Sequence, residues 1–159
     1  MAQIHRGKDP KGDFEDRCIM ALRAAGFRIT MPRIAILRVL EESPRALDAQ
    51  GIHDLLKARG DRVDLVSVYR TLHTLLEVGL VHHLGVVDAY SACMFAGEHD
   101  GQAQHFVCET CGQVTEFLMP SETEARIARQ VEDSGFRPKS LRVEILGACA
   151  RCEQSGTHA

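Results

Sequence analysis

The chain has no apolar run that approaches the roughly 18 residues needed to span a bilayer. Its opening segment, Met1 to Lys11, also lacks the apolar centre of a secretory signal. These two absences predict a cytoplasmic protein with no membrane partner. An excess of basic charge is missing as well: the formal net charge is -3, which excludes a uniformly basic nucleic-acid binder. There are no internal repeats and no low-complexity segments. There is no His-Glu-x-x-His pair and no nucleophile constellation, so a zinc enzyme with Glu116 as its base is a remote alternative and a non-enzymatic role is expected.

The charge that is present is unevenly shared. Residues 1–86 hold 13 Lys+Arg against 11 Asp+Glu, and residues 87–159 hold 6 against 11. A mildly basic first half and an acidic second half suit nucleic-acid contact by one and cation binding by the other. Apolar spacing divides the chain in the same way. After a tail (1–12) expected to be loose, three helices follow. The first carries Phe14, Cys18, Met20, Ala21 and Leu22. The second is capped by Thr30 and buries Ile34, Ile36, Leu37, Val39 and Leu40. The third is capped by Asp48 and carries Ile52, Leu55 and Leu56. A fourth helix runs from near Leu65 to Glu77, and a hairpin turns around Gly85. This order is that of a winged helix-turn-helix, assigned to residues 1–86.

On the fourth helix Val68, Leu72, Leu75 and Leu76 form an apolar stripe. That leaves Ser67, Tyr69, Arg70 and Thr71, with His73 and Thr74, off the core. Arg reads a guanine edge and an aromatic packs on a thymine methyl, so this face is equipped for a major groove of double-stranded DNA. A merely solvated face is the alternative. Residues 87–159 read as a small α/β domain. Short strands lie at 104–108 and 113–118, a helix with a Ser121/Glu124 capping box follows, and a strand covers 136–146. So few strands leave edges for a second copy to cover. The whole is α+β.

Cys108-x-x-Cys111 and Cys149-x-x-Cys152 are two matched pairs, which predict a closed four-thiolate structural zinc site rather than disulfides or a redox dithiol. Between the domains gather His82, His83, Cys93, His99, His105 and Glu116, a sulfur, nitrogen and oxygen set suited to a second zinc. His82 and His83 occupy one strand and point to opposite faces, so at most one belongs to this site. Each member also has a bland reading as core or surface. Cys18 is expected in the core.

From about Gly26 to Cys152 the chain resembles the ferric uptake regulator family. The carrying residues are Gly26-Phe-Arg-Ile-Thr-Met-Pro-Arg33, Ser67-Val-Tyr-Arg-Thr-Leu72, Gly79-Leu-Val and Cys108-x-x-Cys111-Gly112. Glu116-Phe117, Gly135-Phe136 and Gly147-x-Cys149-x-x-Cys152 complete the series. The resemblance implies a homodimeric, metal-dependent repressor of metal-uptake genes that binds an inverted-repeat operator, with Tyr69 and Arg70 on the recognition helix. Ala46 and Ser91 stand where iron-sensing members carry ligands, and Ala89-Tyr-Ser-Ala-Cys93 resembles the zinc-sensing branch. That branch implies a regulatory site of His82, Cys93, His99 and Glu116, with His105 the alternative to His99, and about two zinc ions per protomer. The same repressor responding to nickel, iron or manganese is the alternative.

Overall fold

A computed structural model of the chain describes residues 4–5, 13–95 and 103–155. Helix α1 (Asp13–Ala24) is followed by α2 (Met31–Glu42), whose N-cap is Thr30 in extended conformation with a proline in the first turn. In α3 (Ala49–Ala58) the Asp48 carboxylate accepts from the Gly51 amide at 2.6 Å. In α4 (Leu65–Glu77) Asp64 accepts from the Ser67 amide at 2.9 Å. Asp48 and Asp64 thus cap α3 and α4 through their side chains, whereas Thr30, expected to cap α2, occupies the N-cap position without a side-chain hydrogen bond. Gly79, at φ 74°, turns the chain out of α4 in a conformation that a side chain would strain. Strands β2 (Val81–Leu84) and β3 (Ala89–Ala92) follow as an antiparallel hairpin, Val81 opposite Ala92 and Leu84 opposite Ala89. This hairpin is the wing, and residue 86 lies in its turn.

One apolar cluster holds these elements together. It joins Phe14, Cys18 and Leu22 of α1, the five expected residues of α2, Ile52 and Leu56 of α3, and Val68, Leu72 and Leu75 of α4. Leu80, Val81, Ala92, Cys93 and Phe95 close it from the wing side. Three expected core residues are exposed instead: Met20, Leu55 and Leu76. On α4 the fourth buried position is Thr71, so the buried stripe is turned from the expected one by part of a helical step.

The second sheet has strand order β1-β5-β4-β6, built from β1 (Ile4–His5), β4 (Ala103–Cys108), β5 (Val114–Leu118) and β6 (Glu144–Gly147). β5 is antiparallel to both β4 and β1, while β6 runs parallel to β4. The tail expected to be loose therefore contributes a strand, Ile4 and His5 pairing with Phe117 and Glu116. The strand expected over 136–146 is shorter and later; ahead of it, the Val143 amide is captured by the Gln104 side chain. Helix α5 (Ser121–Asp133) starts at Ser121 itself behind Pro120, so the expected Ser121/Glu124 capping box does not form. None of its residues is buried. A short helix, α6 (Ala150–Gln154), ends the described chain.

The segment between α2 and α3 straps the two sheets together. Leu47 and Tyr90 exchange backbone hydrogen bonds of 2.9 and 2.8 Å on the wing side. On the other side the Val114 amide donates to Pro44 at 3.0 Å, and the Ala46 amide to Gly112 at 3.3 Å.

Candidate metal centres and DNA-contact helix

Strand β4 ends at Cys108, and the next three residues make a tight turn closed by the Gly112 amide on the Cys108 carbonyl at 2.8 Å. Gly112 sits at φ 70°, which its missing side chain permits. Opposite, Cys149 is the N-cap of α6 and Cys152 lies one turn further along. The four sulfurs fall within 4.8 Å of one another. All four cysteines are free thiols, and Cys111 and Cys149 stand 3.8 Å apart. Four sulfurs arranged tetrahedrally about zinc at their usual bond length are separated by about 3.8 Å, far beyond a disulfide bond. The Cys149 amide donates to the Cys108 sulfur at 3.3 Å, and this bond leads the backbone amides that pull the Cys108 thiol down to about 6. The Gln113 amide likewise lowers Cys111, with help from the Arg151 guanidinium 3.7 Å away. Cys152 goes the other way, pushed up to about 12 by the neighbouring Cys149 sulfur and by burial, so the four sulfurs crowd one another as a set that a thiophilic cation would relieve.

The second cluster is built where the wing meets the sheet. His105 on β4 and Glu116 on β5 are directly opposite in register, so their side chains share a face. His82 reaches them from β2. The ligand atoms of His82, His105 and Glu116 also lie within 4.8 Å of one another, and Glu116 is only 4% exposed. His82 Nε2 approaches Glu116 Oε1 at 2.9 Å and His105 Nε2 approaches the same oxygen at 4.0 Å. Both nitrogens are buried without a properly directed hydrogen bond. Such orphaned atoms are costly unless something else engages them, and a cation is the partner their convergence suits. Burial pushes His105 down to about 4, so its ring is neutral and ready to ligate at neutral pH. Burial alone would raise Glu116, but the His82 imidazole and the Met94 amide at 2.7 Å outweigh it and hold the carboxyl low.

Cys93 lies beside this set, its sulfur 3.5 Å from Glu116 Oε1, with burial first and then the carboxylate keeping the thiol protonated. His83 points elsewhere, 2.8 Å from Asp88 and packed on Tyr90. His99 falls outside the described residues. The expected alternative, His105, is the imidazole found in the cluster. Its pairing with Glu116 needed the strand register, for which the sequence held no direct signal. A cleft of about 570 Å³ beside the cluster, bordered by His82, His105, Tyr90 and Arg142, opens it toward solvent.

On α4, Tyr69 is 54% exposed and Arg70 is free of the core, as the face reading requires. Two other members of that face are otherwise engaged. Thr71 is 8% exposed and faces the core. The Ser67 hydroxyl donates to the Asp64 cap at 2.7 Å. Val66, 59% exposed in the first turn, joins the open face in their place; it escaped notice because a lone apolar residue there reads as core.

These features define a metal-binding winged-helix protein of two parts. Residues 24–146 match the ferric uptake regulator family. A zinc uptake regulation protein of Mycobacterium tuberculosis is 37% identical over 131 residues, covering 82% of this chain and 98% of its own. A peroxide-responsive repressor, PerR, of Staphylococcus epidermidis is 31% identical over 142 residues, covering 89% and 91%. The chain belongs to the ferric uptake regulator family. Among solved structures, a zinc uptake regulator complexed with zinc and DNA superposes with a TM-score of 0.83 at 24% identity, over 95% of this chain and all of the other. Holo XcZur superposes at 0.76 with 25% identity, over 89% and 97%.

Proposed function

We propose that this protein is a zinc-responsive transcriptional repressor that binds an inverted-repeat operator as a homodimer, controls metal-uptake genes in the cytoplasm, and catalyses no reaction. The observation that carries this reading is the cluster of His82, His105 and Glu116 at the joint between wing and sheet, where two imidazole nitrogens converge on one carboxylate oxygen without a properly directed hydrogen bond. The 37% identity to a zinc uptake regulation protein supports it. In this reading Cys93, 3.5 Å from Glu116, completes a four-donor set, and His105 takes the place expected of His99. The four cysteines hold a second, structural zinc. The DNA-binding unit spans 13–95, since its wing continues past residue 86, and the dimer forms through the second part, whose α5 face and sheet edges are open.

The residues couple metal to DNA through geometry. His82 is the second residue of the wing, and the second oxygen of Glu116 holds the Met94 amide just past the wing's end. Zinc at the cluster would tie both ends of the wing to one carboxylate. That fixes the wing against the sheet and, in a dimer, sets the two recognition helices about 34 Å apart, one helical turn of DNA. Each tenfold gain in DNA affinity needs roughly 1.4 kcal/mol of preferential metal binding to the DNA-competent form.

Fluorescence anisotropy on the gene's own promoter, at one fixed salt concentration and across buffered free metal, tests the proposal. Zinc is expected to switch binding on at far lower free concentration than iron, manganese or nickel. His105→Asn and Cys93→Ser should each blunt that response while His99→Asn leaves it intact. One specific observation favours a second reading: the tightest donor set is two imidazoles and a carboxylate without the thiol, which suits iron or manganese. Activation by either metal ahead of zinc, unaffected by Cys93→Ser, would select it.

A further inference from the structure

We propose that Glu144 is a positioning residue for DNA binding: from the edge strand β6 it holds the turn of the wing and fixes the wing's angle through contacts separate from those of either metal centre. Glu144 is directly opposite His105, which is in turn opposite Glu116. Opposed residues on neighbouring strands share a face, so Glu116, His105 and Glu144 form one row across the sheet, under the wing. Each end of the row grips the wing by backbone amides. Glu116 takes Met94 at 2.7 Å, beyond β3. Glu144 takes two successive amides in the turn between β2 and β3, Gly85 at 3.2 Å and Val86 at 2.9 Å, one on each carboxylate oxygen.

Both oxygens of Glu144 are engaged by the turn and it is outside the donor set of His82, His105 and Glu116, although its charge reaches His105. A carboxylate accepting from two consecutive amides makes charge-assisted bonds that define direction as well as distance. Donors rather than a tight fit make the contact, because a Cβ added at Gly85 would meet Glu144 Oε2 only at an ordinary 3.8 Å. A wing already seated on the sheet has less freedom left to lose when DNA binds. The inference rests on the DNA-binding reading above for its consequence, though not for the contact itself.

The test compares wild type with Glu144→Gln and Glu144→Ala in three measurements. Amide hydrogen exchange at Gly85 and Val86 is followed with and without regulatory zinc; zinc affinity is measured by competition with a chelator; DNA affinity is measured at saturating zinc. Both variants are expected to exchange those two amides faster in either metal state and to keep zinc affinity within about twofold. Both should bind DNA at least about tenfold more weakly, because the wing of the zinc-loaded form is no longer held at its angle. Unchanged exchange would show that Glu144 does not hold the wing. Faster exchange with unchanged or tighter DNA binding would show that the grip does not position it. A fall in zinc affinity matching the fall in DNA affinity would make Glu144 an accessory of the metal site and overturn the proposal. If wild type binds no DNA with any metal, the repressor reading fails and the positioning role fails with it, while exchange still reports whether the grip exists.

Discussion

Between Asp13 and Phe95 four helices and a hairpin bury a continuous apolar core, whereas in the second half α5 buries no residue at all. Phe106, Phe136, Ile145 and Leu146 of that half are exposed, and its buried set mixes Val107 and Phe117 with Gln104, His105, Glu116 and two cysteines. The first half thus draws its stability from apolar burial within itself. The second half is short of core, and in the proposed function it leans on bonds to metal and on surface that a second copy would cover. In the proposed function the donor set at the boundary between them acts on a well-packed body from a base with little core of its own.

The largest test of this contrast is to remove the four-sulfur site. Cys111→Ser should forfeit a large part of the metal-linked folding energy, which for a whole structural zinc is on the order of 10 kcal/mol. Amides of 103–155 should lose exchange protection while α1 to α4 retain theirs; loss of protection in both halves together would show one cooperative unit instead. Next, Val131→Glu on the apolar side of α5 should weaken dimerisation by about 2 kcal/mol or more, read by sedimentation equilibrium, with the helical first half melting as before. A variant that stays dimeric would remove α5 from the interface. Arg70→Ala should cost roughly 1–3 kcal/mol at a single base position of the operator. Thr71→Ala, changed on the buried side of the same helix, should leave base preference unaltered in the same competition assay.

Mild acidification should have the smallest effect. His105 in the fold lies near 4 against an ordinary 6.5, so between those values the unfolded chain binds more protons than the folded one. Stability then rises with pH across that window and falls as the pH drops into it. Just below 6.5, protein with the cysteine site loaded and the regulatory site empty should melt slightly earlier than at neutral pH. His105→Asn should flatten this part of the profile, and a flat profile in wild type would contradict the buried neutral imidazole.

Much of this was legible in the residues. The helix order, the α2 core, the Asp48 cap and the proximity of the two cysteine pairs follow from periodicity and spacing, which are local signals. What escaped depended on nonlocal facts. Thr71 is apolar enough at its methyl to be drawn inward once Leu76 is left facing the cleft, a matter of how α4 is rotated against its neighbours. That His105 stands beside Glu116 turned on the register of β4 against β5, while His99 lies outside the described residues. Ile4 and His5 have no pattern of their own and become a strand because β5 offers them an open edge. Glu144 carried no signal, since its partners are amides some 58 and 59 positions away.

The strap between α2 and α3 bears on how a response of this molecule would look in time. Its backbone is hydrogen-bonded on one side to Tyr90 in the wing and on the other to Gly112 and Val114 beside the cysteine turn. Such bonds have a seat or have none; they do not stretch smoothly through a rotation of one sheet past the other. A change in the angle between the halves must therefore unzip them together, which makes the joint a latch with discrete positions rather than a smoothly bending hinge.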